Sequence, residues 1–528
     1  MMLMWRRKRL MLYFGFAQGD SHIGVFHPAM WRHCFQSELR ALCMACVLLA
    51  APRLLQAQSE PATPAGSAQI AGQVSQPEPQ AGGTATPDQE QSNAPDGNEQ
   101  DSLTMFPHSE TSRYWISGQA NIILQWHSSF PAAYTGTNSL RPVGENATSK
   151  WFTLFLGYEL TPTTEVFLDP ESASGHGISS GQGLAGYSNL DVVRITTGVS
   201  LGAKPYIARA MLRQIIPLTD ERIEAERDEL HLATSLPARR IEFRVGKFTL
   251  PDFFDNNTWG SDSHLQFLNW TVDANGAWDY AANTRGYTDA AMVEYDDHWW
   301  TARFAEALMP KIANGNFLDA DIARARAENL ELEARGNRIF HRSGTVRLLS
   351  YLNHANMGNY REAIDEFLAG ETAIPNIIAT RRQGRHKYGF GLNFEQELSS
   401  DVGVFGRLGW SDGHNESFAY TEVDRTIELG AFSKGSWLHR RSDRMGAAFV
   451  ANGIVADHQR YLALGGLGFL LGDGALTYGP EKIFEGFYTA HLWRGFFMAF
   501  DAQHFNDPGY NRARGPVWVP AVRLHVDF

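Results

Sequence analysis

Apolar and polar side chains alternate along most of the larger, carboxyl-terminal part of the chain. In the stretch "ISGQANIILQW", Ile116 and Leu124 share one face, Asn121 and Gln125 share the other, and Ile123 is the exception. Successive side chains of an extended strand point to opposite sides of its sheet, so a period of two predicts a β-strand. The final stretch, "VRLHVDF", alternates without exception.

The same alternation recurs throughout this region. Further examples are "WFTLFLGYEL", "YIARAMLRQI", "RIEFRVGKF", "WWTARFAEAL", "TVRLLSYLN", "YGFGLNFEQEL", "VGVFGRLGW" and "FFMAFDAQHF". A soluble sandwich would alternate too, but its outer face favours Lys, Thr and Ser. Here the polar faces mix Arg, Glu, Asn and Gln, and the apolar faces carry aromatic residues near their ends. The pattern predicts an all-β fold, a transmembrane antiparallel β-barrel of about 16 strands over residues 113–528.

Two stretches of this region lack the alternation. They are "LDADIARARAENLELEARG", residues 318–336, and "YREAIDEFLAG", residues 360–370. Both are rich in Ala, Glu and Arg, and these residue types favour helices. We therefore expect small helical inserts in long loops of the barrel.

The amino-terminal part of the chain has no strand pattern. Arg40 precedes a short apolar core, and Ala57 offers a cleavage site, so residues 1–57 are interpreted as an export signal. The stretch before Met30 is long for the basic region of a signal, and translation from Met30 would remove it. Residues 58–112 are rich in Pro, Gln and Ser and have few large apolar side chains, which predicts a disordered tether.

Composition argues against several classes of protein and of binding site. The formal net charge of −12 argues against a nucleic-acid partner, because a phosphate-binding surface needs a positive field. The sequence contains no apolar run long enough for an ordinary spanning helix. All three cysteines, Cys34, Cys43 and Cys46, lie within the predicted signal region, so disulfides and thiolate metal sites are not expected after export. Aromatic residues reach 12 %, which suits the aromatic belts of a membrane barrel.

Two short motifs suggest chemistry that their context does not support. "GISSG", residues 177–181, has the spacing of a hydrolase nucleophile, but that motif works on a strand-to-helix turn and no helix pattern follows Ser179. "DNNTWG", residues 255–260, resembles the start of a calcium loop, but Trp259 takes a ligand position. The histidines are scattered along the chain. We therefore expect no catalytic residue, no metal and no cofactor.

Charged and amide side chains on the polar strand faces are the remaining candidates. In a pore, opposed guanidinium and carboxylate groups near aromatic rings can hydrogen-bond sugar hydroxyls and stack on sugar rings. The alternative is that these charges line the lumen and pair only with one another. The predicted pore-lining residues are Arg209, Arg213, Glu242, Arg244, Arg303, Arg347, Asn393, Glu395, Arg407 and Arg523.

A series of motifs occupies the stretch between Arg244 and Tyr295. It contains an Asp-Phe-Phe-Asp-Asn-Asn turn, a Phe-x-Asn-Trp segment, Trp-Asp-Tyr and Arg-Gly-Tyr. The matching residues are Asp252, Phe253, Phe254, Asp255, Asn256, Asn257, Phe267, Asn269, Trp270, Trp278, Asp279, Tyr280, Arg285, Gly286 and Tyr287. With further pieces in order up to the last strand, they make a little over half of the chain similar to the carbohydrate-selective porin family of the OprB type.

This resemblance implies an outer-membrane barrel of about 16 strands that passes small sugars by diffusion, without identifying the sugar. Small sugars in the lumen, outer-membrane lipid and the barrel-assembly machinery are the expected partners, and a homo-oligomer is left open. Phe528, which ends an alternating strand, resembles an assembly signal of such barrels. Two other classes remain as alternatives: an outer-membrane barrel enzyme of the lipase or protease type, and a non-transporting surface scaffold.

Overall fold

The computed structural model describes residues 102–192, 203–339 and 341–528. The predicted export signal and the predicted tether up to residue 101 lie outside the described residues. Within the described part of the chain, no helix has the length and the apolar character needed to cross a membrane.

Strands make up about half of the described chain. In chain order they are β1 (Tyr114–His127), β2 (Glu145–Thr161), β3 (Thr164–Gly175), β4 (Tyr206–Pro217), β5 (Arg222–Glu224), β6 (Ser235–Pro237), β7 (Arg240–Phe248), β8 (Thr288–Asp297), β9 (Trp300–Leu308), β10 (Arg326–Ile339), β11 (Arg342–Met357), β12 (Arg382–Glu397), β13 (Val402–Ser411), β14 (Arg425–Gly435), β15 (Arg440–Gly453), β16 (Glu481–Trp493), β17 (Phe496–Asn506) and β18 (Val517–Asp527). The helices are α1 (Trp270–Asp273), α2 (Tyr360–Leu368) and α3 (Ala456–Ala463). All of these strands except β5 and β6 form one closed barrel of 16 antiparallel strands, which confirms the predicted fold.

The first and last strands close the barrel against each other. β1 pairs with β18 in antiparallel register, with Gln119 opposite Asp527. Beyond this register, the backbones of Gly118 and Phe528 exchange two hydrogen bonds, at 2.6 and 2.8 Å. Because the closed sheet has no open edge, its backbone donors and acceptors are paired within the wall, as a membrane requires.

The two faces of the barrel wall follow the alternation of the sequence. On β18, Arg523 and His525 are buried inside the barrel, whereas the side chain of Leu524 is exposed on the outside. On β1, Ile123 breaks the alternation and packs inside the barrel against Leu268. The wall therefore presents an apolar band outward and a largely polar surface inward.

One of the two predicted helical inserts is a strand. β10 occupies the second half of the stretch 318–336, so the helix predicted there is wrong, whereas α2 confirms the helix predicted at 360–370. On the inner face of β10, Glu331 forms an ion pair with Arg303 of β9 at 2.7 Å. On the outer face, Leu332 is exposed toward the membrane side. Pairing with neighbouring strands thus overrides the helix propensity of this segment.

The two ends of the barrel differ in the length of their connections. At one end, six of the described connections have two to four residues, and β4 joins β7 through residues 218–239, which contain the β5–β6 hairpin. At the other end the connections are longer, and residues 249–287 join β7 to β8. We call these the short-turn end and the long-loop end.

Residues 102–113 run from the end of β18 to the start of β1 at the short-turn end. The backbone N–H of Met105 donates to the carbonyl of Asp527 at 2.8 Å. The guanidinium of Arg227, from the connection between β4 and β7, donates to the carbonyl of Ser112 at 2.8 Å. These residues are held against the barrel, although the sequence assigns most of them to a disordered tether.

Candidate functional site

Residues 249–287 fold into the barrel, and we call them the inward loop. The loop contains every residue of the motif series found in the sequence. The backbone N–H of Asp255 donates to Glu331 on β10 at 2.7 Å, and that of Leu268 donates to Glu485 on β16 at 2.5 Å. Because β16 lies on the opposite side of the barrel from β8, the loop crosses the lumen.

Arg407 on β13 fastens the inward loop to the wall. Its guanidinium donates to the carbonyls of Val272 and Asp273, at 2.7 and 2.9 Å, and forms an ion pair with Asp255 at 3.0 Å. A second ion pair, at 3.1 Å, joins it to Glu428 on the next strand. Because the Arg407 side chain is fully buried, its positive charge is stabilised by these partners and not by water.

Three more of the predicted pore-lining residues hold the same loop. Asn393 on β12 accepts a hydrogen bond from the side chain of Asn257 at 2.9 Å, and Glu395 accepts the backbone N–H of Thr258 at 2.6 Å. Arg523 on β18 donates to two backbone carbonyls of the loop, both at 2.8 Å. The polar faces of β12, β13 and β18 thus position the inward loop.

Four other predicted arginines of the wall form a chain of ion pairs around its inner face. Arg213 on β4 joins Glu165 at 2.9 Å and Glu242 at 2.7 Å, and Arg347 on β11 joins two carboxylates at 3.0 and 3.1 Å. In order around the wall, the chain consists of Glu165, Arg213, Glu242, Arg244, Glu294, Arg303, Glu333, Arg347 and Glu395. These charges pair with one another, which is the alternative that the sequence leaves open for them.

A cavity of about 670 Å³ lies inside the barrel between the inward loop and the strands around the seam. Of the ten predicted pore-lining residues, Arg209 lines this cavity, and the nine others lie elsewhere on the inner wall. Arg209 forms ion pairs with Asp169 on β3 and, at 2.6 Å, with Asp252 of the inward loop. The two acids hold this guanidinium at the border of the cavity.

Aromatic rings border the same cavity. Trp270, the first residue of α1, stacks on Tyr420 with ring centres 4.7 Å apart, and Tyr280 stacks on Tyr420 at 5.6 Å. Asn269 caps α1 by accepting the backbone N–H of Thr271, which fixes the start of this short helix. Trp270 lines the cavity, and its indole N–H has no hydrogen-bond partner among the described residues. A flat ring at the border of a polar cavity can stack on the apolar face of a sugar.

Another side of the cavity is polar and acidic. Glu171 on β3 accepts hydrogen bonds from the hydroxyls of Tyr206 and Tyr287, the second at 2.8 Å. Arg285 lies over the ring of Tyr206, 3.8 Å from the ring centre. Between Arg285 and Tyr287, Gly286 has a φ of 95°, a conformation that favours glycine, and both of its neighbours line the cavity.

The remaining motif residues fix the inward loop from within. The ring of Phe253 lies 4.6 Å from the guanidinium carbon of Arg244, and the indole N–H of Trp278 donates to Asn329 on β10 at 3.0 Å. Asp279 accepts two backbone N–H groups from the connection between β13 and β14, at 3.0 and 2.9 Å. Further contacts of the loop involve Phe254, Asn256 and Phe267.

Several groups of the connections that border the cavity have shifted pKa values. Burial raises the pKa of Asp273 to about 7. Burial, together with the neighbouring Asp228, raises the pKa of Glu229 to about 7. Burial lowers the pKa of His264, but its contact with Asp191 outweighs this and leaves the pKa above its ordinary value. The charge of the cavity therefore changes in the neutral pH range.

The sequence motif around Ser179 does not form a catalytic triad. The Ser179 hydroxyl donates to Glu145 at 2.6 Å, and His127 contacts the same carboxylate at 3.2 Å. In a serine hydrolase the histidine contacts the serine, and the acid contacts the histidine. Here the acid lies between the other two residues, so the histidine is not placed to take the proton of the serine.

Three carboxylates of the inner wall, those of Glu242, Glu294 and Asp296, offer oxygens within 4.8 Å of one another. Each of them is also held by arginine. Arg240, for example, joins Glu242 at 2.5 Å and also contacts Asp296. Guanidinium groups therefore compete directly with any cation for these oxygens.

Sequence reasoning identified Asp252 and Asp255 of the cavity through the motif series but missed its other acidic residues. Asp169 and Glu171 alternate with outward-facing residues along β3, so the period of two in "TEVFLDPES" is a signal that could have found them. Asp228 and Glu229 line the cavity from the connection between β4 and β7, where the sequence shows no periodic pattern. Their position depends on how that connection folds over the short-turn end.

A closed antiparallel barrel with an apolar outer face, an ion-paired inner wall and a loop that crosses its lumen defines a porin, a diffusion channel of the outer membrane. The model of the "Carbohydrate-selective porin, OprB family" matches residues 168–528. The chain belongs to this family. It is therefore an outer-membrane carbohydrate porin, a channel and not an enzyme.

Solved structures of other channels are similar to this chain at low sequence identity. The high-pH structure of Pseudomonas putida OprB has a TM-score of 0.58 and 14 % identity, over 79 % of this chain and 94 % of that chain. The outer membrane channel DcaP of Acinetobacter baumannii has a TM-score of 0.43 and 9 % identity, over 79 % of this chain and 97 % of that chain. A comparison with curated proteins gives no match. The first similarity supports the barrel fold.

Proposed function

We propose that sugars cross the barrel through the cavity beside the inward loop. The observation that carries this proposal is the combination at its border of an aromatic ring, that of Trp270, with the charged groups of Arg209, Asp252 and Glu171. A sugar ring has an apolar face that stacks on an aromatic ring, and hydroxyls at its edge that exchange hydrogen bonds with such charged groups. Both kinds of contact are offered across one cavity.

The other predicted pore-lining residues take a supporting role in this proposal. Asn393, Glu395, Arg407 and Arg523 set the size of the pore because they fix the inward loop. The ion-paired arginines of the wall keep the lumen polar without offering a free charge to each passing sugar. Selectivity then depends mainly on the inward loop and on the wall that faces it.

Trp270→Ala is expected to weaken block of the channel by sugars. Loss of one aromatic stacking surface weakens the free energy of sugar binding by about 1 kcal/mol. About fivefold more sugar is then needed for the same block. The indole N–H has no partner among the described residues, so the change removes the ring without breaking a hydrogen bond to them. The measurement is the current through single channels in planar bilayers at increasing glucose concentration.

Trp437→Ala is the matched control for this change. Trp437 is exposed in the short connection between β14 and β15, away from the cavity. Equal sugar block in wild type, Trp270→Ala and Trp437→Ala would contradict the proposed route. An increase in salt current together with weaker sugar block would support it, because a smaller side chain widens the cavity.

We also propose that lipid covers the outer face of the barrel and that the assembly machinery recognises its last strand. Large apolar residues are exposed on the outside of many strands, among them Leu348, Phe390, Leu429 and Phe484. Such a band stabilises a barrel only in a membrane. A homo-oligomer would cover part of the same band.

A further inference from the structure

The cavity beside the inward loop carries an excess of negative charge. Among the described residues that line it, ten have carboxyl side chains and three have guanidinium groups. Two more arginines act from behind the lining: Arg407 pairs with Asp255, and Arg444 pairs with Asp262. Even with these two counted, the carboxyl groups outnumber the guanidinium groups by two to one.

The three arginines of the lining leave most of this charge uncompensated. Arg209 is shared between two carboxylates. Arg227 donates to two backbone carbonyls of residues 102–113. Arg285 lies over the ring of Tyr206. One guanidinium group of the lining is thus divided between two acids, and the other two contact neutral groups.

Three acids of the lining, Glu171, Glu229 and Asp273, form no ion pair within 4 Å among the described residues. Glu171 accepts hydrogen bonds from hydroxyl groups, and the carboxyl group of Glu229 accepts one from its own backbone N–H. The Oδ1 atom of Asp273 is buried without a hydrogen-bond partner among the described residues. A buried acceptor without a partner gains free energy from any donor that reaches it.

Asp273 and Trp270 lie at opposite ends of the four-residue helix α1, and both line the cavity. Residues three apart on a helix lie on neighbouring parts of one face. A pyranose stacked on the Trp270 ring would therefore bring its edge close to a carboxylate. An ammonium group on that edge would gain an ion pair, whereas a hydroxyl would gain a hydrogen bond only.

We propose that this channel favours sugars that carry a protonated amine over neutral sugars of the same size. The inference rests on the proposed route through the cavity. It concerns the chemical class of the substrate: an amino sugar such as glucosamine meets unpaired carboxylates of the inward loop and of the connection between β4 and β7. A neutral sugar uses the same aromatic ring and the same hydroxyl contacts without the ion pair.

The test compares block of single channels at pH 7 by glucosamine, glucose and N-acetylglucosamine. The acetylated sugar keeps the nitrogen but removes its charge, so it controls for size and shape. Glucosamine is expected to give half-block at about tenfold lower concentration than either neutral sugar. Equal block by all three sugars would overturn this inference and leave the sugar route intact, whereas no block by any of them would overturn the proposed route as well.

Neutral variants locate the preference. Glu229→Gln alone, and Glu229→Gln combined with Asp273→Asn, are expected to reduce the glucosamine preference stepwise while block by glucose stays within about twofold of wild type. Asp365→Asn, an exposed position on α2, is the control for a lost surface charge. A preference that persists in the double variant would place the cation site elsewhere and overturn the assignment to these two residues.

The selectivity of the channel among simple ions is expected to depend on pH. Glu229 and Asp273 carry their negative charges above pH 7 and lose them below it, so preference for K⁺ over Cl⁻ should fall as the pH decreases from 8 to 6. His264 gains a positive charge in the same direction and adds to the fall. The groups that act on these carboxyl groups are Asp228, Arg209 and Asp252 around Glu229, and Arg407, Asp262, His264 and Asp255 around Asp273.

The measurement is the reversal potential in a KCl gradient at each pH. The fall in K⁺ preference should shrink in the double variant Glu229→Gln with Asp273→Asn, in which His264 still titrates. An equal fall in wild type and in the double variant would show that these carboxyl groups do not set the selectivity.

Discussion

Arg407→Ala is expected to destabilise the barrel and to release the inward loop. The change removes a fully buried guanidinium and leaves the carboxylates of Asp255 and Glu428 without that partner. Removing one member of a buried ion pair costs about 3–5 kcal/mol. The loop also loses the hydrogen bonds to its carbonyls at Val272 and Asp273. Thermal unfolding in detergent measures the first effect, and the noise of the single-channel current measures the second.

Arg382→Ala serves as the control for this experiment. The Arg382 side chain is 69 % exposed and pairs with Glu362 at 3.1 Å on the surface. Exposed ion pairs contribute about 0–1 kcal/mol, so this variant should unfold close to wild type. If Arg407→Ala unfolded at the same temperature as Arg382→Ala and conducted as quietly as wild type, Arg407 would not hold the inward loop.

Phe528→Ala is expected to reduce the yield of assembled barrel several-fold. The ring of Phe528 lies against Gly118 of β1, where an added Cβ atom would be 2.7 Å from the ring atoms Cε2 and Cζ. Loss of this contact at the seam between β1 and β18 destabilises the closed form by about 1–3 kcal/mol. The measurement is the fraction of protein that migrates as a folded barrel on gels without heating.

Phe500→Ala separates the seam from the general loss of an aromatic ring. Phe500 lies on the outer face of β17, and the residue is 52 % exposed. If both variants assembled with the same yield, Phe528 would be one more lipid-facing ring. If only Phe528→Ala failed to assemble while the assembled remainder kept its sugar block, its role would lie in closure of the barrel and not in the pore.

The barrel could be predicted from the sequence because each of its strands has to satisfy two different solvents. Lipid outside and a polar lumen inside impose a period of two on every strand. The inward and outward residues of "RIEFRVGKF" and "VRLHVDF" can therefore be assigned from the sequence alone. The helix prediction for residues 318–336 is wrong because the Glu and Ala residues of this stretch favour helices in isolation. The acids of β10 are neutralised by arginines on the neighbouring strands β9 and β11. Helix propensity is calculated from local sequence and does not include these ion pairs.

The candidate site was predictable only in part. The polar strand faces identified the inner wall, and the motif series identified the inward loop, but nothing in the sequence showed that one binds the other. Arg407 and Arg523 look like free pore charges in a strand pattern, yet both are buried beneath the loop. A loop that crosses a lumen makes its contacts across hundreds of residues, and alternation carries no information about such contacts.

Residues 102–113 link the two sides of the seam between β1 and β18. Among the neighbouring barrel strands, every pair except β1 and β18 is joined directly by a stretch of chain. Residues 102–113 lead into β1 and are anchored to the other side of the seam, where the N–H of Met105 binds Asp527 and the carbonyl of Ser102 binds the N–H of Gly495. They therefore bridge by hydrogen bonds the one pair of neighbouring barrel strands that the chain does not join directly, so that opening the seam requires the release of this segment as well as the separation of β1 from β18.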